Sequence, residues 1–89
     1  MRIEAFEWDD ENVEHIAGHN VDPQEAEEAC YLSPSVMRGK QGRYLVYGQS
    51  EEGRYLLIVG VYRGQGLFRV ITARDMTDLE RKLFRMRRK

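Results

Sequence analysis

The chain has 89 residues, 33% charged and 42% hydrophobic, with a formal net charge of −1 and one cysteine. That length supports one modest core, so a single domain over residues 1–89 is expected. The lone cysteine excludes an internal disulfide, no apolar run approaches the roughly 20 residues that cross a bilayer, and Met1-Arg2-Ile3 leads into acidic sequence without a signal peptide, so a cytoplasmic protein with no membrane partner is expected.

The charge is unevenly spread. Residues 1–34 hold one basic residue, Arg2, against ten acidic ones, a formal −9; residues 35–89 hold 13 basic against five acidic, a formal +8. Either a basic face takes nucleic acid beside an acidic flank, or the two halves neutralise each other across the fold.

Ile3 to Trp8 reads as a short strand with apolar residues on both faces. Asp9 or Asp10 caps a first helix, with Asp10, Glu11 and Glu14 near its positive end and Val13, Ile16 and Ala17 as its buried stripe. Gly18 to Asn20 stop it. Asp22-Pro23-Gln24-Glu25 starts a second helix, with a cap, a proline at the first helical position and a glutamate at the third. Ala26, Ala29 and Cys30 form its small-residue face, on which the first helix is expected to pack, and Ser33-Pro34-Ser35 ends it. Cys30 reads as a core residue rather than a nucleophile.

From Val36 the period becomes two. Val36 to Arg38 is compatible with a short edge strand, Arg43 to Gln49 reads as a strand, Glu51-Glu52-Gly53 as a hairpin turn and Arg54 to Tyr62 as a further strand. The last is apolar on both faces and therefore central. Gly64-Gln65-Gly66 forms the next hairpin and delivers a strand over Leu67–Ala73. Thr77 and Glu80 then make a capping box, which predicts a helix from about Asp78. Met76, Leu79, Leu83 and Met86 form one helical stripe, expected to be buried against the sheet with Arg81 and Lys82 outward. The order is β-α-α-β-β-β-α, an α+β fold with an antiparallel sheet packed by helices. Arg69, Arg74 and Arg81 cluster around its final strand–helix corner, where they can meet a phosphate or carboxylates.

Four stretches carry a family resemblance: Phe6-Glu7-Trp8-Asp9, His19-Asn20-Val21 with the Glu-Ala pairs after it, Arg69-Val70-Ile71-Thr72-Ala73-Arg74, and Glu80-Arg81-Lys82-Leu83-Phe84. In this order and spacing the chain resembles the BrnT toxins, within the wider set of small domains similar to the RelE and ParE toxins. The resemblance implies a RelE-like α+β fold and metal-independent cleavage of RNA that inhibits translation. It also implies neutralisation by an antitoxin, typically a ribbon-helix-helix DNA-binding protein, and no cofactor. Two positions depart from the pattern: Gly18 stands where the family usually has lysine, and Phe84 where it usually has tyrosine. Slow cleavage is therefore expected.

Metal-free RNA cleavage must deprotonate a ribose 2′-OH, neutralise the phosphorane charge and protonate the departing 5′-oxygen. Arg54, Arg69, Arg74 and Arg81 suit the second task, because a fixed fork of donors matches phosphate oxygens. His19 suits the proton transfers, and Glu80 is either a base or simply the capping residue. Each arginine has a plainer alternative in a surface ion pair, and His19 in a contact at the helix end. Arg85, Arg87, Arg88 and Lys89 either track an RNA backbone or form a solvated tail. His15 and His19 have a zinc-compatible spacing but no third ligand at a recognisable distance, so no metal is expected. A non-catalytic module that binds an antitoxin-like protein or nucleic acid is the alternative function, and a homodimer is compatible with either.

Overall fold

Three helix starts are fixed by reciprocal capping boxes. Asp9 and Asn12 exchange side-chain-to-backbone hydrogen bonds of 3.1 and 2.8 Å at the head of α1 (Asp10–Ala17). Asp22 and Glu25 do the same for α2 (Pro23–Tyr31), and Thr77 and Glu80 for α3 (Asp78–Arg87). Each pair satisfies two backbone N–H groups that a helix leaves without partners. The computed structural model describes residues 1–87; Arg88 and Lys89, two of the expected RNA-tracking cations, lie outside the described residues.

Five strands complete a mixed α+β architecture: β1 (Ala5–Glu7), β2 (Ser35–Arg38), β3 (Arg43–Gln49), β4 (Tyr55–Gly64) and β5 (Leu67–Asp75). They form one sheet in the order β1-β5-β4-β3-β2, with the doubly apolar β4 in the middle, as expected. The edge segment is a full strand, so the order is β-α-α-β-β-β-β-α. The expectation of an antiparallel sheet needs correction at one edge. β1 runs parallel to β5, with Ala5 opposite Leu67 and Glu7 opposite Arg69. Parallel partners require a crossover, and the chain returns to the neighbourhood of β1 only after passing through α1, α2 and three strands. The β4–β5 turn is tight because Gln65 and Gly66 both take positive φ, and the Gly66 carbonyl accepts from the N–H groups of Glu4 and Ala5.

α1 and α2 cover one face of the sheet. Ile16, Val21, Ala26, Ala29 and Cys30 meet Val46, Leu56, Ile58, Phe68, Val70 and Ala73 in the core. The small face of α2 is buried as expected, but what it admits is strand β3: a side chain at Gly48 would run into the Ala29 backbone. On α1 the expected stripe is only partly right. Ala17 is exposed, and Asn12 is buried, its amide donating to the carbonyls of Glu7 and Val70 at 2.9 Å each and so tying β1 to β5.

α3 lies over the other face, and its expected orientation is overturned. Leu79, Leu83 and Met86 are 66%, 47% and 60% exposed, while Phe84 is 3% exposed. Met76 is buried, but it precedes the helix. The cause is Glu80. Its carboxylate accepts from the Thr77 N–H and also from both terminal nitrogens of Arg74 on β5, so residue 80 must face the sheet. One turn later the same face presents Phe84, which packs edge-on against Tyr55 at 6.0 Å between ring centres. Among the described residues no helix is long and apolar enough to cross a membrane.

Phe84 is thus the anchor of α3. Phe84→Ala is expected to cost about 3–5 kcal/mol in urea denaturation, whereas Leu79→Ala or Leu83→Ala should cost less than about 1 kcal/mol. A Leu83→Ala loss matching that of Phe84→Ala would return the aliphatic stripe to the core.

Candidate functional site

The strand–helix corner is built on one row of cross-strand neighbours, Ser35, Tyr47, Leu57 and Arg74, running across β2, β3, β4 and β5. α3 crosses above this row and leaves a groove of about 210 Å³, lined by Ser35, Met37, Tyr47, Leu83, Phe84 and the two polar ends, Glu80 and Arg87. At one end Arg74 donates to Glu80 through two bonds of 2.8 and 3.0 Å and to the Asp75 carbonyl at 3.0 Å. At the other, Arg87 donates to the Ser35 hydroxyl at 3.4 Å. Outside the groove, the guanidinium groups of Arg81 and Arg85 lie 5.7 and 5.6 Å from the centre of the Tyr55 ring. Arg81 is also paired with Asp78 at 2.7 Å. Arg74, Arg81, Arg85 and Arg87 therefore gather around α3.

The bidentate pair has an electrostatic signature. The Arg74 guanidinium beside Glu80 holds that carboxyl below its ordinary value of 4.5, with the Thr77 N–H adding to the effect. Arg74 is raised in turn, chiefly by its bonds to Glu80. A carboxylate so held is a poor proton acceptor near neutrality, and its geometry is that of a group fixing a guanidinium fork.

The remaining residues of interest lie apart from this groove. Arg54 bonds Asp75 at 2.9 Å and Glu25 at 3.0 Å, and its terminal nitrogens also donate to the backbone carbonyls of Asn20 and His19. It clamps the α1–α2 turn to the end of β5, next to Arg74, and lowers Asp75 from its ordinary carboxylate range. His19 reaches this end of the sheet through its carbonyl; its ring lies 5.8 Å from that of His15, which itself contacts the Thr72 hydroxyl at 3.1 Å. Arg69 stands five residues back along β5, about 16 Å from Arg74 at the usual strand rise. It is held by Glu7, Asp9 and Glu11 at 2.9, 2.8 and 3.2 Å. Cys30 is buried, and burial with the nearby Glu27 charge pushes its thiol up to about 12, so it is not a nucleophile. Among the described residues no three His, Cys, Asp or Glu side chains converge as a metal site.

Tyr47 and Tyr55, which the sequence offers with Tyr44 and Tyr62 as stacking aromatics without assigning any of them, both flank the cationic corner. Pairing the two hairpins by their turns puts Tyr47 two strands from Arg74 on one face, and that register is the signal that could have found it.

Comparison with known proteins bears on this geometry. The family model for "Ribonuclease toxin, BrnT, of type II toxin-antitoxin system" matches residues 8–80. Among solved structures, the chain is similar to the crystal structure of the Brucella abortus ribonuclease toxin BrnT, with a TM-score of 0.70 at 21% identity over 83% of this chain and 97% of that one. At that identity the likeness concerns the fold. No curated protein matches the sequence.

Because Glu80 is lowered in the folded protein, it stabilises the fold fully above about pH 4.5, and that contribution is lost as the pH falls through its folded value. Asp75 and Asp9 act in the same direction but are more exposed, at 64% and 52%, and so contribute less. Glu80→Gln should lower the melting temperature at pH 7 and make its decline below pH 4.5 shallower. A variant whose acid limb parallels that of the parent would deny the pair its role.

Proposed function

Since the chain belongs to the BrnT family of ribonuclease toxins of type II toxin–antitoxin systems, we propose that it is a metal-independent endoribonuclease that cleaves RNA in the cytoplasm, inhibits translation and is restrained by a ribbon-helix-helix antitoxin. The observation that carries the chemistry is the Arg74 guanidinium. It is 41% exposed and locked in orientation by a two-point contact that turns its fork to Glu80. Among the described residues, its Nε–H and the second hydrogen of one terminal nitrogen are left to meet a developing phosphorane charge.

In this reading the ribose 2′-oxygen attacks phosphorus and its proton passes to a base. The phosphorus–O5′ bond breaks, and the leaving 5′-oxygen takes a proton. Arg74 and Arg81 neutralise the phosphorane, and Glu80 is a positioning residue that aims Arg74. His19 is the proton carrier of this reading; Arg54 fixes its carbonyl at the Asp75 end of the sheet, while its ring lies beside His15, apart from the groove. Arg85 and Arg87, with Arg88 and Lys89 beyond them, supply counter-charge along the RNA backbone. Arg69, already surrounded by three carboxylates, serves the β1 edge. The saturation of Arg54 and Arg69, together with Gly18 and Phe84, favours a second reading of a non-catalytic module that binds an antitoxin or nucleic acid.

Incubation with RNA in the presence of EDTA separates the two. Cleavage that survives chelation is expected, with Arg74→Ala and Arg81→Ala each slowing it by roughly 10²–10³-fold and Arg74→Lys recovering little. Among the described residues Arg81 pairs only with exposed Asp78 and the Tyr55 ring, so its loss should leave the melting temperature nearly unchanged. Folded variants that cleave at the parent's rate would remove these arginines from the mechanism, and intact RNA with the parent would favour the binding module.

Deletion of residues 85–89 is expected to flatten the salt dependence of RNA binding, because fewer counterions are released, and to leave the domain folded on Phe84. An unchanged salt slope would assign the segment to solvent.

A further inference from the structure

α3 turns outward the residues that a core would take. Leu79, Leu83 and Met86 stand at i, i+4 and i+7, a continuous aliphatic stripe along its solvent side. Beside it runs β2, the outer strand of the sheet, whose Met37, 41% exposed, is on the same face as α3. Leu83 and Met37 both line the groove beneath α3, so the stripe and the edge strand form one apolar surface. Apolar side chains gathered in this way on a helix and a strand mark an interaction surface.

The rim of this surface is cationic. Lys82, Arg85 and Arg87 rise from α3. The two acids of α3 are already engaged, Asp78 by Arg81 and Glu80 by Arg74. A second copy of the chain would set this cationic rim against itself in a two-fold contact, which like charges oppose. RNA gains little from three aliphatic side chains at the centre, since base recognition calls for aromatic or planar groups. A protein helix with an apolar stripe and acidic flanks satisfies both the centre and the rim.

We propose that this surface seats an acid-flanked amphipathic helix of the antitoxin, its apolar face on Leu79, Leu83 and Met86 and its carboxylates on Lys82, Arg85 and Arg87. The inference rests on the toxin reading above. It also supplies a means of restraint: the occupant neutralises the cations offered to RNA and covers the groove next to Arg74.

The test uses the full chain and the purified product of the reading frame adjacent to its gene. Binding is followed by calorimetry and RNA cleavage in a separate assay. Leu79→Ser combined with Met86→Ser, neither of which lines the groove, is expected to weaken the complex by at least about tenfold while the melting temperature and cleavage rate stay those of the parent. Lys82→Glu is expected to weaken it by about tenfold and to reduce its salt dependence. An undiminished complex with the double variant overturns this surface. So does a parent that is dimeric alone and becomes monomeric in the double variant, which assigns the stripe to a second copy. A double variant that keeps the complex but loses RNA binding assigns the stripe to RNA and likewise overturns the proposal. A parent that cleaves RNA but forms no complex overturns the docking proposal and leaves the ribonuclease chemistry standing. A parent that forms the complex through this stripe and leaves RNA intact supports the docking surface and overturns the enzyme reading.

Discussion

The Arg74–Glu80 pair determines which way the last helix faces, and much of the molecule's surface follows from it. Glu80 accepts from the Thr77 backbone and from both ends of the Arg74 fork, so one carboxylate caps α3 and ties it to β5. A half-exposed ion pair adds only modestly to stability. Its larger consequence is rotational. With residue 80 turned to the sheet, Phe84 is carried under the helix and the Leu79–Leu83–Met86 stripe is carried out. The groove, the cation cluster and the apolar docking surface are all products of that rotation.

The uneven charge along the chain resolves in space in both of the ways it suggests. Arg54 is neutralised in part by Glu25, and Arg63 and Arg69 by Glu7, Asp9 and Glu11, all from the acidic first third. These pairs join β4 and β5 to the helices and to β1, and they withdraw those arginines from solvent chemistry. Among the described residues the arginines of α3 have no such counterparts in the N-terminal segment. Arg81 and Arg85 rest on the Tyr55 ring, and Arg87 reaches Ser35. One set of cations is therefore structural mortar, and the other lies around the groove, where a polyanion or an acidic protein can meet it.

The same division explains why the arginines could not be ranked from their positions in the chain. Arg69 and Arg74 lie on the same strand, five residues apart. One faces three carboxylates delivered by β1 and α1, and the other faces a single carboxylate from α3. Which acid reaches which guanidinium depends on the parallel docking of β1 onto β5, a contact between residues more than 60 positions apart.

The sequence by itself determined the local events, because each is written in residues a few positions apart. The capping boxes of α2 and α3, a cap for α1 at Asp9 or Asp10, the hairpin turns at Gly53 and Gly66, the central β4 and the small-residue face of α2 are all legible from spacing and residue type, whereas the reciprocal Asn12 contact of α1 is not. The order of elements and the four short motifs were legible too, and with them the family. Only the tertiary structure decided the parallel edge strand, the burial of Asn12 and the outward stripe of α3. Periodicity identifies an amphipathic helix, but here two candidate faces compete: an aliphatic one through Leu79 and Leu83, and one through Glu80 and Phe84. The competition was settled by a partner on another element, since Arg74 bonds Glu80 on the sheet side and the rigid helix then has no freedom to bury its leucines.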